Sequence, residues 1–377
     1  MDKREYIGFG SIKNLKGILD EHNPRRIFLV TGENSYSSCG AEDSIVEALG
    51  DRNFYRFKGF QENPKIEDVD EGISLYRKFN PDLVIGIGGG SVLDMAKLTN
   101  ILASQEHSSR EYVFGERKIE SKGKPLILIP TTSGTGSEAT HFAVVYIGKD
   151  KYSLANQMIL PDYSIVDPNF MLNLPKNIIA STGMDALSQA IESYWAVAST
   201  DESKGYSRAA IELVMGNLEL AANTHSEESI LAMSKAANLS GKAINITKTT
   251  APHALSYAFT SHFGVPHGHA TGLTLGQVLV YNSFVKEGDV NDPRGVEYVK
   301  KTIKELNALI GNSDAYFSRA KIKTLMNHIG LETRLSVLGI EKEEDIDLIA
   351  RSVNIERLNN NPRTLTTELI KKLLKNI

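Results

Sequence analysis

The sequence predicts an α/β domain with a parallel, Rossmann-like sheet followed by an all-helical domain, and three observations carry that reading. Short apolar, β-rich runs alternate with helical stretches through the first 170 or so residues: Arg26 to Thr31, Leu83 to Gly88, Leu126 to Pro130 and Tyr163 to Asp167. From about Leu174 the strand signals give way to long helical stretches. The 377 residues also exceed the size at which one hydrophobic core stops growing, roughly 250–300 residues, so two domains are expected.

The runs lack polar alternation, as strands covered on both faces require, and the helical segment Val92 to Ser104 supplies such a cover. In the second half the helical periodicity predicts Ile178 to Ala198, Ser207 to Thr224, Ser226 to Ile246, Val296 to Leu309 and Thr366 to Lys375. Prolines at 168 and 175 bracket the natural boundary, placing the domains at 1–172 and 173–377.

Composition excludes several function classes. Lys plus Arg number 42 against 46 Asp plus Glu, a net charge of −4, so no basic excess recruits nucleic acid or an anionic membrane. No apolar stretch reaches 18 residues, and the first ten residues lack the apolar core of an export signal. A single cysteine, Cys39, forms no internal disulfide and leaves any metal to His and carboxylate ligands. A small-molecule partner and a reducing cytoplasm are the resulting expectations.

Two loops carry nucleotide-binding character. After the strand Leu83 to Ile87 comes Gly88-Gly89-Gly90-Ser91, then a helix-compatible run containing Asp94. Glycines admit φ > 0 and close backbone approach, and the first N–H groups of the next helix attract a pyrophosphate. The spacing is neither the GxGxxG fingerprint nor a Walker A loop, and tight packing alone also explains such a turn. After Pro130 runs Thr131-Thr132-Ser133-Gly134-Thr135-Gly136-Ser137-Glu138. Loops leaving the carboxyl ends of parallel strands converge on one crevice, so these hydroxyls are expected to face the same ligand, with helix capping as the alternative.

The helical half offers a metal constellation. Asp185 and Gln189 lie four apart on one helix face, and His253 and His267 follow 14 residues from one another. One carboxylate and two imidazoles suit Zn²⁺ or Fe²⁺ with a position left open for a substrate oxygen.

The strings GGGSVLDMAK, PTTSGTGSE, TGMDAL and PHALSY…GVPHGHA, in this order, resemble the iron-containing (group III) alcohol dehydrogenase family over essentially the whole chain. The resemblance implies an NAD(P) site and a divalent metal meeting between two domains, in a homodimer. It places metal ligands at Asp185, His253 and His267, and puts Gln189 where the family has a histidine. Gln189 is therefore expected to be a distant fourth ligand or to orient water. A family histidine near the nicotinamide falls on Tyr257, with His262 and His269 as other candidates for proton relay. NAD-preferring members place an Asp after the first strand, where this chain has Gly32. That favours NADP(H) over NAD, with Ser35 as a phosphate contact, while Glu33 argues the other way. Gly89, Gly90, Ser91, Asp94, Thr131, Thr132 and Thr135 are the expected cofactor contacts, and Lys151 matches a family lysine beside the nicotinamide ribose.

The implied chemistry is hydride transfer between nicotinamide and a small aldehyde or alcohol. The string Thr249 to Tyr257 with Pro266 to His269 is similar to the branch that reduces phosphonoacetaldehyde to 2-hydroxyethylphosphonate. Lys248, Arg351, Arg357 and Arg363 are the candidate cations for a phosphonate. Two other readings are a cyclase/lyase of the dehydroquinate synthase kind, using NAD transiently, and a metal-free nucleotide-binding protein.

Overall fold

The computed structural model describes residues 3–353 and 355–377. They form two compact units. One comprises the described residues up to Thr132 together with Gly136–Leu174, and the other comprises Ser133–Thr135 and the chain from Pro175 onward.

The first unit is built on a six-stranded, wholly parallel sheet in the order β1 (Arg4–Ile7), β8 (Tyr163–Val166), β5 (Leu126–Pro130), β4 (Leu83–Gly88), β2 (Arg26–Thr31), β3 (Asn53–Phe57). Helices α1 (Asn14–His22), α2 (Ala41–Leu49), α3 (Ile66–Phe79) and α4 (Gly90–Ala103) supply the crossovers, as parallel pairing demands. A strand's side chains alternate between faces, so each apolar run feeds two cores. Ile27, Leu29, Ile85 and Ile127 enter one, with Leu15, Ile18 and Ile45 of α1 and α2. Phe28, Val30, Val84 and Leu128 enter the other, with Val69, Ile73, Leu93 and Ile101 of α3 and α4. The four expected strands are therefore the four inner ones. The periodicity missed the edge strands β1 and β3 and the antiparallel hairpin β6 (Phe142–Ile147) with β7 (Asp150–Ala155). These elements carry charged or exposed residues, such as Arg56 and Phe54, that dilute the apolar signal.

The second unit is helical: α5 (Lys176–Trp195), α6 (Asp201–Thr224), α7 (Glu227–Thr247), α8 (Ala251–Phe263), α9 (His267–Ser283), α10 (Val296–Ile310), α11 (Ala315–His328), α12 (Glu343–Arg351) and α13 (Thr367–Leu374), with short turns of helix between some of them. The five predicted helices match α5, α6, α7, α10 and α13 within a few residues, except that α6 begins six residues earlier, where Thr200 caps it. Pro252 stands in the first turn of α8, Gly264 ends that helix in the left-handed region at φ 69°, and Pro266 precedes α9. These local signals fix His253 in the first turn of one helix and His267 at the first position of the next. Among the described residues no helix is long and apolar enough to cross a membrane.

Candidate functional site

In the first unit the loops after β5, β4 and β2 leave the carboxyl ends of three adjacent strands, the place where open parallel sheets bind ligands. Gly88 is the turn glycine. At φ 159°, a Cβ there would lie 2.6–2.9 Å from the Val92 side chain. Of the three turn glycines only Gly88 has positive φ. Gly89 is extended at φ −72° and serves as the N-cap of α4, with Gly90 as its first residue. The orphan N–H groups of α4 therefore open at Gly90 and Ser91, with no Cβ on the two residues before Ser91. The Ser91 hydroxyl accepts from Asn63 N–H (3.1 Å), and Thr131 N–H donates to Gly88 O (2.9 Å), tying two of the loops together. Thr132 lies in ordinary contact range of Gly89, about where a Cβ would meet it.

Asp94 lies near the start of α4, and Lys151 of β7 is near enough to act on its charge. Both Asp94 oxygens are engaged: Ser137 Oγ donates at 2.6 Å and Val144 N–H at 3.0 Å. Burial pushes the Asp94 carboxyl up, against the pull of Lys97, these donors and Lys151. Lys97 was not singled out from sequence, yet it is completely buried. Its ammonium donates to Ser137 Oγ (3.0 Å), Thr140 Oγ1 (2.9 Å) and Phe142 O (2.9 Å). Burial lowers its pKa to about 8, although Asp94 and Glu138 oppose that.

A stability effect follows. Below about pH 8 the folded state carries a buried charge that the unfolded chain hydrates freely. Between about 8 and the ordinary value of 10.5 the unfolded state binds the extra proton, so the Lys97 contribution to stability rises with pH. The melting temperature of the wild type relative to Lys97→Met is expected to climb from pH 8 to 10. A flat difference would contradict this.

At the end of β2, Gly32 and Ser35 meet: a Cβ on Gly32 would lie 2.2 Å from Ser35 Oγ. Glu33 turns to Lys58 (2.8 Å), whose hydrogen bond holds its carboxyl below the usual range. Arg56, missed in the sequence, bridges this loop from β3. Its Nε donates to Thr31 Oγ1 (2.8 Å), its Nη2 to Gly32 O (3.3 Å), and its guanidinium lies 4.4 Å over the Tyr36 ring.

In the second unit Asp185, His253 and His267 converge, their ligand atoms all within 4.8 Å of one another. Asp185 Oδ1 stands 3.1 Å from His253 Nε2 and 3.9 Å from His267 Nε2. Ligand atoms around a tetrahedral cation at about 2.0–2.1 Å are separated by about 3.3 Å, so the set fits one ion after small side-chain adjustments. The Asp185 and His253 side chains are 5% and 6% exposed, while His267 is 30% exposed and forms the open edge. Burial disfavours charge on His253, but Glu192 and Asp185 outweigh it and raise its pKa to about 10.

Glu192 is the residue that sequence reasoning missed here. It accepts from His253 Nδ1 at 2.5 Å and from Thr250 N–H at 2.7 Å. It lies seven residues after Asp185, on the same helix face, and that spacing was the available signal.

Gln189 has both ends of its amide engaged. Its Nε2 donates to Thr135 O (3.3 Å) and its Oε1 accepts from Ser240 Oγ (3.0 Å), so the amide ties α5 to α7 and to the segment Ser133–Thr135. Thr135 thus presents its carbonyl to Gln189, within the helical unit. Of the three relay candidates only Tyr257 reaches the cluster, stacking on His267 with centroids 6.1 Å apart at 21°. His269 donates from Nε2 to Glu332 O (2.6 Å), and burial lowers its pKa. His262 is exposed near the far end of α8. Among the cations named for a phosphonate, Arg363 is held by Asp289 (2.8 Å) and Tyr281 O, and Arg351 pairs with Asp347 (3.0 Å). Arg357 is half-buried and Lys248 exposed.

Two family models match the chain: iron-containing alcohol dehydrogenase over residues 3–168, and the C-terminal domain of the Fe-containing alcohol dehydrogenase family over 179–377. Phosphonoacetaldehyde reductase of Streptomyces viridochromogenes is 32% identical, covering 79% of this chain and 76% of its own. NADPH-dependent butanol dehydrogenase of Clostridium saccharobutylicum is 30% identical, over 98% and 95%. The crystal structure of sulfoacetaldehyde reductase from Bifidobacterium kashiwanohense in complex with NAD⁺ superposes with a TM-score of 0.89 at 30% identity, covering 99% of this chain and 96% of that one. The ordered motifs, the strand-end glycine turn and the carboxylate–imidazole cluster thus have one common explanation: the chain belongs to the iron-containing alcohol dehydrogenase family.

Proposed function

We propose that this chain is a metal-dependent reductase of short aldehydes bearing an anionic group, phosphonoacetaldehyde foremost, run in reverse as an alcohol dehydrogenase. The observation that carries the metal-dependent chemistry is the cluster of Asp185, His253 and His267. The substrate class is supported by relatives named for phosphonoacetaldehyde and sulfoacetaldehyde, both two-carbon aldehydes ending in an oxyacid. As an iron-containing alcohol dehydrogenase the chain is an NAD(P)-linked oxidoreductase. When bound, a divalent cation supplies Lewis-acid polarisation of a carbonyl oxygen and a reduced nicotinamide supplies the hydride.

The chain's own residues do the rest. Asp185, His253 and His267 hold the cation, with His267 on the accessible side where a substrate oxygen enters. Gly88 to Ser91 and Thr131 position the dinucleotide's phosphates, and Lys97 with Asp94 braces the start of α4. Tyr257, lying on His267, holds the proton that the product alkoxide takes up. The absence of a side chain at Gly32, beside Ser35 and Arg56, favours a 2′-phosphate and hence NADPH. A homodimer in the cytoplasm completes the reading, on the family resemblance and the single thiol, Cys39.

The test is an aldehyde panel containing phosphonoacetaldehyde, sulfoacetaldehyde and butanal, assayed with NADPH and NADH in parallel before and after chelation. Stoichiometric NADPH consumption, highest with an anionic aldehyde, lost on chelation and restored by Fe²⁺ or Zn²⁺, is expected. Turnover indifferent to metal removal would refute the metal-assisted reading. Conversion of substrate without net loss of NAD(P)H would favour a cyclase/lyase.

A further inference from the structure

We propose that Glu192 is a positioning residue that locks His253 into one tautomer and orientation, and that the site's grip on a divalent cation depends on this lock because Gln189 is tied up elsewhere. The proposal rests on the metal reading above and goes beyond it to a residue that touches neither cation nor substrate.

Glu192 has no exposed surface. A buried carboxylate is tolerated only with strong compensating donors, and the structure supplies them asymmetrically. Oε2 accepts from Thr250 N–H (2.7 Å), Thr250 Oγ1 (3.0 Å) and His253 N–H (3.4 Å). Oε1 faces His253 Nδ1 at 2.5 Å. An ionised carboxylate only accepts, so Nδ1 carries a hydrogen. For a neutral ring that leaves the Nε2 lone pair directed at Asp185 and the ligand cluster. The opposite tautomer puts a hydrogen where the cation belongs and sets a lone pair against Oε1.

The frame around Glu192 is rigid. Thr250 Oγ1, which donates to Glu192, accepts from Trp195 Nε1 at 2.9 Å. The chain reaches Thr250 through Lys248 at φ 60°, ψ −174°, a backbone region that is essentially glycine's. That conformation is held by Asn360 Nδ2, which donates to Thr247 O (2.8 Å) and Thr249 O (3.1 Å), and by Thr247 Oγ1 donating to Lys248 O (2.7 Å). The strained residue thus lies in the short connection that carries the Thr250 amide to Glu192. Gln189, one turn before Glu192, has its amide committed to Thr135 and Ser240, so three ligands carry the cation and the orientation of each matters more.

Replacing partners of this kind lowers metal affinity about 10–100-fold in other sites. For Glu192→Gln the expected result is a rise of that size in the Kd for Zn²⁺ or Co²⁺, measured by titrating the metal-free protein. Histidine ¹⁵N spectra of the neutral His253 ring should move from the Nδ1–H to the Nε2–H form, because the new amide can donate to Nδ1. Glu192→Asp, which keeps the charge, should recover part of the affinity. A Glu192→Gln protein that binds the cation within twofold of wild type overturns the proposal. Should that variant fail to melt cooperatively, the cation-bound wild type decides: an Nδ1–H of His253 that is strongly deshielded and slow to exchange supports the hydrogen bond to Glu192, and an Nδ1–H that is neither, or an Nε2–H, refutes it. A wild type that binds no cation overturns the metal reading itself, which is a different outcome from equal binding by both proteins.

Discussion

Asp185→Asn is expected to strip the divalent cation from the protein and to lower kcat/KM by about three orders of magnitude while leaving the fold intact. Asp185 is the common point of the cluster, with Oδ1 3.1 Å from His253 and 3.9 Å from His267. It is also the only carboxylate among the three ligands, so it is the one that offsets the cation's charge by direct contact, in a pocket where its side chain is 5% exposed. Asparagine keeps the shape but offers a neutral oxygen, and its amide hydrogens can turn toward the Nε2 lone pair of His253. Lewis-acid stabilisation is worth several kcal/mol, and about 4 kcal/mol corresponds to the thousandfold loss. The fold should survive because the helices around Asp185 are held by apolar packing of Met184, Leu187 and Ile191, all fully buried. Metal per chain by elemental analysis, read beside melting temperature and turnover, checks this. A variant that keeps its metal and turns over within tenfold of wild type would show that the cluster is not the centre of the chemistry.

How far the sequence reached can be argued from particular residues. The inner strands were legible because burial on both faces writes itself as an unbroken apolar run, as in Leu83 to Ile87. The edge strand Asn53–Phe57 was not, because its first three residues are exposed and Arg56 interrupts it. Asp185, His253 and His267 were found through motifs and spacing, and they do come together. Missed were polar groups whose partners come from distant segments. Nothing in the sequence around Lys97 and Glu192 announces their burial; Ser137, Thr140 and Phe142 close over one, and Thr250 and His253 over the other. Gln189 shows the same limit. Its spacing from Asp185 is right for coordination, but the hydrogen-bond partners of its amide, the acceptor Thr135 O and the donor Ser240 Oγ, lie 54 and 51 residues away. Periodicity tells which face of a helix is buried and is silent about which neighbour satisfies a buried polar atom.

Gly268→Ala should disable the centre from the opposite direction, through packing. A Cβ at Gly268 would stand 1.9 Å from Ser181 O and 2.9 Å from both Ser181 C and Asp185 Cβ. The obstruction is mainly the backbone of α5, which has no rotamer to change, so α9 must move off α5. Gly268 adjoins His267 in α9 and lies against Asp185 of α5, so that movement separates two ligands at once. Overpacking of this kind costs about 1–3 kcal/mol and sometimes more. At about 2–4 °C per kcal/mol for a unit of this size, the melting temperature should fall by about 2–12 °C. A second substitution calibrates the first. Gly216 lies on the exposed side of α6 with nothing within 4 Å of a new Cβ, and there Gly216→Ala should stabilise by about 0.5–1 kcal/mol through reduced backbone entropy in the unfolded chain. Opposite signs for the same chemical change isolate the helix–helix approach as the cause. If Gly268→Ala melts as high as Gly216→Ala and holds its cation, the close contact of α9 with α5 does not set the spacing of Asp185 and His267.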